Sequence, residues 1–463
     1  MTDDIKISDT LAAVFDYIEA HRDDNLARVM EYVRHPSISA HNIGIRKVAT
    51  MLVEHLTGLG FEADAVSTSG HPMVLGHRCE APGKPTVLLY GHYDVQPPDP
   101  LEAWISPPFE PTIRDGRIYA RGIGDNKGQH FAQLLALEAH LAVTGRLPCN
   151  VIFLLEGEEE IGSPRIAEFV AANAERLKAD LVVTADGPLH PSGRPIVTFG
   201  VRGMAGFELK VKTGRTDAHS GNHGGTMPNA LWTLVHLLGT MKDADGRITI
   251  DGLHDPIRPP SNAERAAAEA LPVDILGYLK DMGLGRLDAP ADRPFHDRVM
   301  FHPTLTINGI HGGYGGPGTK TVLPAEAIAK CDIRLVPDMT PEQAVSCVRA
   351  HVEKYGPKGE VEVIMATSGM LPSRTPLDNP FAPAIIDAVR MARGVEPYIY
   401  PSVGGSLPDY AFTKILGLPA FVTPYANADE ANHAPNENLE ISLFHDGVRT
   451  GAALLDRLGR MSI

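Results

Sequence analysis

The chain has 463 residues, 43 % hydrophobic and 21 % charged, the balance of a soluble globular protein with two or three domains. Its formal net charge of −15 argues against a nucleic-acid or membrane-surface partner, either of which asks for a basic patch. Cys79, Cys149, Cys331 and Cys347 form no close pair, so neither a disulfide framework nor a cysteine zinc site is expected, and reduced thiols in a cytoplasmic protein are.

The start, Met1-Thr2-Asp3-Asp4, lacks the basic and apolar regions of a signal peptide, and no apolar run approaches the roughly 20 residues that span a bilayer. Apolar residues at helical spacing predict a helix over 9–32, ended by His35-Pro36, and a second over 45–59 closed by Gly60. Short β-like runs at 63–67 and 73–76 precede the apolar run 86–90, which breaks at Gly91. His92 and Asp94 stand just past that strand end, where open α/β sheets collect ligands. They are two residues apart, so a continuing extended backbone points both side chains the same way. Imidazole plus carboxylate is the pairing of a metal ligand with the group that fixes its tautomer. Asp125 follows in a glycine-rich turn, Arg121-Gly122-Ile123-Gly124-Asp125, and a helix is predicted over 129–143.

The run 150–155 is uninterrupted in its apolar character and reads as a strand buried on both faces. It ends in Glu156-Gly157-Glu158-Glu159-Glu160. A helix over 165–178 leads to a strand at 180–184 and to Asp186. This alternation of strand and helix predicts a parallel sheet with helices on both faces. Near Gly203 the texture changes. Alternating segments at 205–212 and 247–250, a helix over 226–241, a Pro- and Ala-rich stretch at 252–294, β-like runs at 304–307 and 327–336, a helix over 341–355 and a strand at 360–366 suggest an α+β module with an antiparallel sheet. From 373–376 the first texture returns, with a helix over 382–393, a strand at 398–400, a short helix at 410–416, a strand at 420–423 and an amphipathic helix over 441–458.

Five strand-end or loop positions carry metal-type side chains: His92, Asp125, Glu160, Asp186 and His433. Two imidazoles and three carboxylates form a nitrogen and oxygen set that suits zinc, with manganese or cobalt as substitutes. Five ligands exceed the need of one tetrahedral zinc with an open position, and they suit two metals sharing a carboxylate. Within the acidic triplet, one residue can hold metal while its neighbour carries protons, which is what hydrolysis by an activated water requires.

Gly91-His92-Tyr93-Asp94-Val95, Gly124-Asp125-Asn126-Lys127-Gly128, Glu156 to Ser163 and Asp217-Ala218-His219-Ser220-Gly221 occur in that order. Together they resemble the dinuclear zinc peptidases that include cytosolic nonspecific dipeptidase, carnosinase, glutamate carboxypeptidases and aminoacylases, over Gly91 to Asn438. The resemblance implies that His92, Asp125 and Asp186 hold one metal, that Asp125, Glu160 and His433 hold the other, and that Asp125 bridges. It implies that Asp94 orients His92 and that Glu159 is the general base for a bridging hydroxide. The peptide bond after the bridging aspartate is typically cis in this family. The usual Asp-Asp is replaced here by Asp125-Asn126, a change expected to cost little.

The fold so implied is α/β. A catalytic domain with a mostly parallel central sheet flanked by helices is made of 1–202 and 375–463, and an α+β lid and dimerisation domain is inserted at 203–374. The inserted module is expected to dimerise and to lend His219 to the partner's site. Gly318 to Pro324, Asp332 to Pro337 and the HYDV motif are similar to the dipeptidase branch. By that similarity Thr321 touches a small peptide-like substrate, and Arg334 and Ser406 bind its carboxylate, a task that suits the planar fork of arginine. The implied activity is hydrolysis of the amide bond of dipeptides. Deacylation of N-acyl amino acids, or carbamoyl hydrolysis, is the alternative within the family, and a non-catalytic scaffold is the alternative outside it.

Overall fold

A computed structural model describes residues 7–288, 292–365 and 369–462. The acidic start at 1–4, residues 289–291 of the Pro- and Ala-rich stretch and residue 366 of the expected strand lie outside the described residues. The chain divides into two compact units. The first comprises residues up to Gly200, Arg374–Tyr400 and Ala411–Ile463, and the second comprises Val201–Ser373 and Pro401–Tyr410. Assigning Pro401–Tyr410 to the second unit differs from the uninterrupted 375–463 segment expected from sequence texture.

The first unit is built on an eight-stranded mixed sheet. In spatial order the strands are Glu62–Val66, Met73–Arg78, Asn150–Glu156, Thr86–His92, Leu181–Thr184, Ala420–Val422, Ile196–Thr198 and Tyr398–Tyr400. Four of the seven neighbouring pairs are parallel, including every pair that Thr86–His92 and Leu181–Thr184 make. The apolar runs Val87 to Tyr90 and Val151 to Leu155 are buried throughout, which is why these strands occupy the middle. Truncating one such side chain to Ala costs about 2–5 kcal/mol. Register brings His92 opposite Glu156 and Tyr90 opposite Thr184, so three parallel strands end on one edge. Helices Lys127–Thr144, Ala382–Arg393 and Ile441–Gly459 contribute to the core of this unit.

Two expected elements of this unit change. The helix predicted over 9–32 is two helices, Asp9–Ala20 and Arg22–Val33. His21 leaves helical geometry at φ −106° and ψ 19°, and its ring nitrogen Nδ1 meets Tyr17 O at 2.8 Å. The helix predicted over 165–178 is shorter, Ile166–Ala172.

The second unit holds a four-stranded antiparallel sheet in the order Thr304–Gly312, Glu326–Leu335, Gly203–Lys212 and Val361–Met365. Strict alternation along Gly203–Lys212 turns Ala205, Phe207, Leu209 and Val211 into a core with helices Ala230–Met241 and Pro341–Tyr355. Both helices begin on side-chain caps, Asn229 accepting from Leu231 N and Thr340 from Gln343 N. Thr304–Gly312 runs longer than the four residues expected and carries an irregularity between Ile307 and Gly309. Residues 247–250 form no strand. Ile248 makes one isolated bridge to Lys242, because the intervening turn is tied up by Asp243 Oδ1 accepting from Asp245 N and Arg247 N. Among the described residues, no helix is long and apolar enough to cross a membrane.

Candidate active site

Asp125 stands between two imidazoles. Its Oδ1 lies 3.0 Å from His92 Nε2, and its Oδ2 lies 3.0 Å from His433 Nε2. His433 Nε2 is also 3.0 Å from Glu160 Oε2. His92 Nε2 is 3.6 Å from Asp186 Oδ2 and 4.0 Å from Glu159 Oε2. The parallel strand ends thus bring His92, Glu159, Glu160 and Asp186 to one place, and the turn before Lys127 adds Asp125.

Asp94 does two jobs. Its carboxylate lies 3.4 Å from His92 Nδ1, and its carbonyl lies 3.1 Å from the same nitrogen. A proton on Nδ1 leaves Nε2 free to face Asp125 and Asp186. The same carboxylate accepts from Glu159 N at 3.2 Å and from Glu160 N at 3.1 Å, so it also shapes the acidic turn.

The other carboxylates of that turn are accounted for elsewhere. Glu156 accepts from Tyr90 Oη at 2.6 Å and from Ser163 Oγ at 3.2 Å, and burial pushes its pKa up to about 8. Glu158 pairs with Arg165 at 3.0 Å and accepts from His71 N. Only Glu159 and Glu160 face the cluster. Gln96 holds Glu160 with its backbone N–H at 3.2 Å and its side-chain amide at 3.0 Å.

The donor set fits divalent cations. His92, Asp125 and Glu160 offer ligand atoms that all lie within 4.8 Å of one another. Four carboxylates, Asp125, Glu159, Glu160 and Asp186, repel one another in a small space. Burial and the charge of Asp125 push Glu160 up to about 7, and burial raises Asp186 and Glu159 as well. Hydrogen bonds to Asp125 and Glu160 push His433 up to about 10. Burial alone lowers His92, but bonds to Asp125, Asp186 and Asp94 hold it well above the usual imidazole range. A cluster that draws positive charge this strongly is suited to metal.

Several residues around the cluster were not singled out by sequence reasoning. Glu437 is fully buried. Its Oε1 accepts from Gly124 N at 2.8 Å and Asp125 N at 3.0 Å, and its Oε2 accepts from Gly122 N at 2.9 Å and Arg121 Nη1 at 2.7 Å. One carboxylate therefore holds the whole turn that carries Asp125. Glu430 is buried against that turn, and a Cβ at position 124 would stand too close to its Oε2, so a side chain there would require Glu430 to shift. The Asp125–Asn126 peptide is cis.

Within the second unit the expected substrate residues fall into two pairs. His219 Nε2 is 3.4 Å from Thr321 Oγ1, and its Nδ1 accepts from Gly221 N at 3.0 Å. Arg334 Nη1 donates to Ser406 Oγ at 2.9 Å. Arg202, also missed in the sequence, donates from Nε to Gly404 O at 3.0 Å, two residues from Ser406. Burial and the nearby Arg334 lower its pKa to about 10.

A profile of Peptidase family M20/M25/M40 matches residues 88–457. Beta-Ala-His dipeptidase of Rattus norvegicus is 30 % identical, with 98 % of this chain and 96 % of that protein covered. Cys-Gly metallodipeptidase dug1 of Schizosaccharomyces pombe is 29 % identical, with coverage of 98 % and 99 %. The crystal structure of the M20 family metallo-carboxypeptidase Sso-CP2 from Sulfolobus solfataricus superposes with a TM-score of 0.87 at 33 % identity, covering 94 % of this chain and 99 % of that one. With its family signature spread over both units, this chain belongs to peptidase family M20/M25/M40.

Proposed function

We propose that the protein is a metal-dependent dipeptidase that cleaves the amide bond of small substrates bearing a free carboxylate. The observation that carries this reading is Asp125, which turns one carboxylate oxygen to each of two imidazoles at 3.0 Å. Two divalent cations, zinc by the chemistry of the donor set, with manganese or cobalt as substitutes, are assigned to His92, Asp125 and Asp186 on one side and to Asp125, Glu160 and His433 on the other. When bound, such cations acidify a water and polarise a carbonyl.

The chain's own residues do the rest. Glu159 takes the proton of the attacking water and returns it to the leaving amine, a role that suits the one carboxylate of the acidic turn that faces the cluster beside Glu160. Asp94 keeps His92 in one tautomer. His219 donates to the carbonyl oxygen as negative charge develops. Thr321 contacts the substrate, and Arg334 with Ser406 binds its carboxylate. Dipeptidase is favoured over deacylation or carbamoyl hydrolysis because the two curated relatives described above are dipeptidases by name.

A homodimer through the second unit, with His219 serving the partner's site, belongs to the same proposal. Trp232 and Val235 are exposed on one helix of that unit, and an exposed apolar pair of this kind suits an interface. A reducing, cytoplasmic setting is supported by four cysteines that are all free.

The test is a hydrolysis screen of free dipeptides against N-acetylated amino acids, with the protein metal-loaded or chelated. Dipeptide cleavage that chelation abolishes and added zinc restores is expected. Turnover of N-acetyl amino acids alone, or activity indifferent to chelation, contradicts the proposal. Mixing inactive His219→Ala and Glu159→Gln subunits under exchange conditions should restore activity, whereas confirmed exchange without recovery rejects the trans role of His219.

A further inference from the structure

The family resemblance treats asparagine in place of aspartate at 126 as a change of little consequence. The hydrogen bonds around that side chain say otherwise. Asn126 is fully buried directly beside Asp125. Its Oδ1 accepts from the backbone N–H of His92 at 3.3 Å, and its Nδ2 donates to Ala185 O at 2.5 Å. Ala185 is the residue before Asp186. One amide therefore touches the backbone of His92, adjoins Asp125 and reaches the segment that carries Asp186. These are the three residues assigned above to one metal.

The orientation of the amide is set from behind. A backbone N–H at His92 can only donate, so the atom facing it must be the oxygen. His130 Nδ1 lies 3.3 Å from the same oxygen and must then carry the ring proton. Its Nε2 is left to accept from Tyr32 Oη at 3.0 Å, which a phenol satisfies. The chain Tyr32, His130, Asn126 thus has one consistent arrangement, and it points the amide N–H at Ala185 O. The backbone is fitted to it as well, because a Cβ at Gly91 would stand 2.9 Å from Asn126 Oδ1. A carboxylate at 126 keeps the two acceptor contacts but sets an unprotonated oxygen against the carbonyl of Ala185.

We propose that Asn126 is a positioning residue of the metal centre, its amide N–H tying the Asp186 segment to the His92 strand end while its oxygen, fixed by His130 and Tyr32, holds His92. This rests on the reading of His92, Asp125 and Asp186 as metal ligands. Groups that orient metal ligands are worth roughly 10–100-fold in metal affinity.

The experiment compares Co2+ binding by titration calorimetry in metal-stripped wild type, Asn126→Asp and His130→Ala, together with the thermal midpoint of each stripped protein. Asn126→Asp is nearly isosteric. It should weaken Co2+ binding by roughly 10–100-fold, beyond any change explained by a lower midpoint, and His130→Ala should weaken it in the same direction by less. Co2+ affinity of Asn126→Asp within about twofold of wild type, whatever its midpoint, overturns the proposal. If Asn126→Asp does not fold, His130→Ala decides, and wild-type affinity in that variant overturns it. Wild-type protein that binds no Co2+ overturns the functional reading and this proposal together. Tight wild-type binding with equally tight binding by the variants overturns this proposal alone.

Discussion

His92 and His433 stand at the same distance from Asp125, 3.0 Å, on opposite oxygens, yet the chain holds them by different means. His92 ends a buried strand. Its side chain is 0 % exposed, its ring is braced by Asp94, and its backbone is bonded to Asn126. His433 sits in a loop with its side chain 55 % exposed and its φ at +56°, and Ala431 and Asn436 nearby also have positive φ. Such angles are uncommon outside glycine and persist only where the surroundings enforce them. The enforcement comes from the end of the loop, where Glu437 is anchored to Arg121 and to three backbone N–H groups of the Asp125 turn. The side chain of His433 is thus positioned by hydrogen bonds of its loop, those of buried Glu437 and of Asn438, whose Nδ2 donates to the carbonyls of Asp429, Glu430 and Asn436, whereas His92 is positioned by burial of the sheet. On the proposed two-metal reading, the ion on the His433 side should be the more labile.

The largest effect expected is that of Asp125→Ala, which erases the comparison by removing the group both imidazoles share. Both metals and all turnover should be lost, measured by elemental analysis and dipeptide hydrolysis. Glu159→Gln should leave both sides loaded while lowering kcat by up to roughly 10⁴-fold, since an amide occupies the place but shuttles no proton. An emptied site in that variant would instead make Glu159 a ligand. Glu437→Gln acts on the His433 loop and also loosens the turn that carries Asp125, which Glu437 holds through Gly124 N and Asp125 N. It leaves Arg121 buried without its carboxylate, which costs about 3–5 kcal/mol of stability, and it should weaken the metal at His433 before the metal at His92. Equal weakening of both, read by titrating metal back into the stripped protein, would show that the loop is not independently anchored.

The smallest effect expected sharpens the comparison without any mutation. Mild chelation should remove one metal faster than the second, and the first to leave should be the one whose loss is mimicked by His433→Ala. Simultaneous loss would erase the distinction drawn between strand end and loop.

The sequence made the central strands legible because Val87 to Tyr90 and Val151 to Leu155 are apolar without interruption, and burial follows from that. It also made legible the residues that the fold gathers, since His92, Glu160 and Asp186 each follow such a run and Asp125 lies in a glycine-rich turn. What it hid depends on distance along the chain. Glu437 reads as one more acidic residue in an Asn-rich turn, because its partner Arg121 lies 316 positions away. Asn126 reads as a carboxylate lost, because the carbonyl it serves belongs to Ala185, 59 positions on. The break at His21 was masked by apolar spacing that continues across it, and the assignment of Pro401–Tyr410 to the second unit follows a chain path that local texture does not encode.

In the proposed site one carboxylate, Asp125, is shared by two metals. Metal content per chain, measured by elemental analysis on wild type, His433→Ala and Asp125→Ala purified in the same zinc-containing buffer, tests it most directly. Two ions per chain are expected in the wild type, one in His433→Ala and none in Asp125→Ala. An Asp125→Ala protein that is folded and still carries the wild-type complement would contradict it.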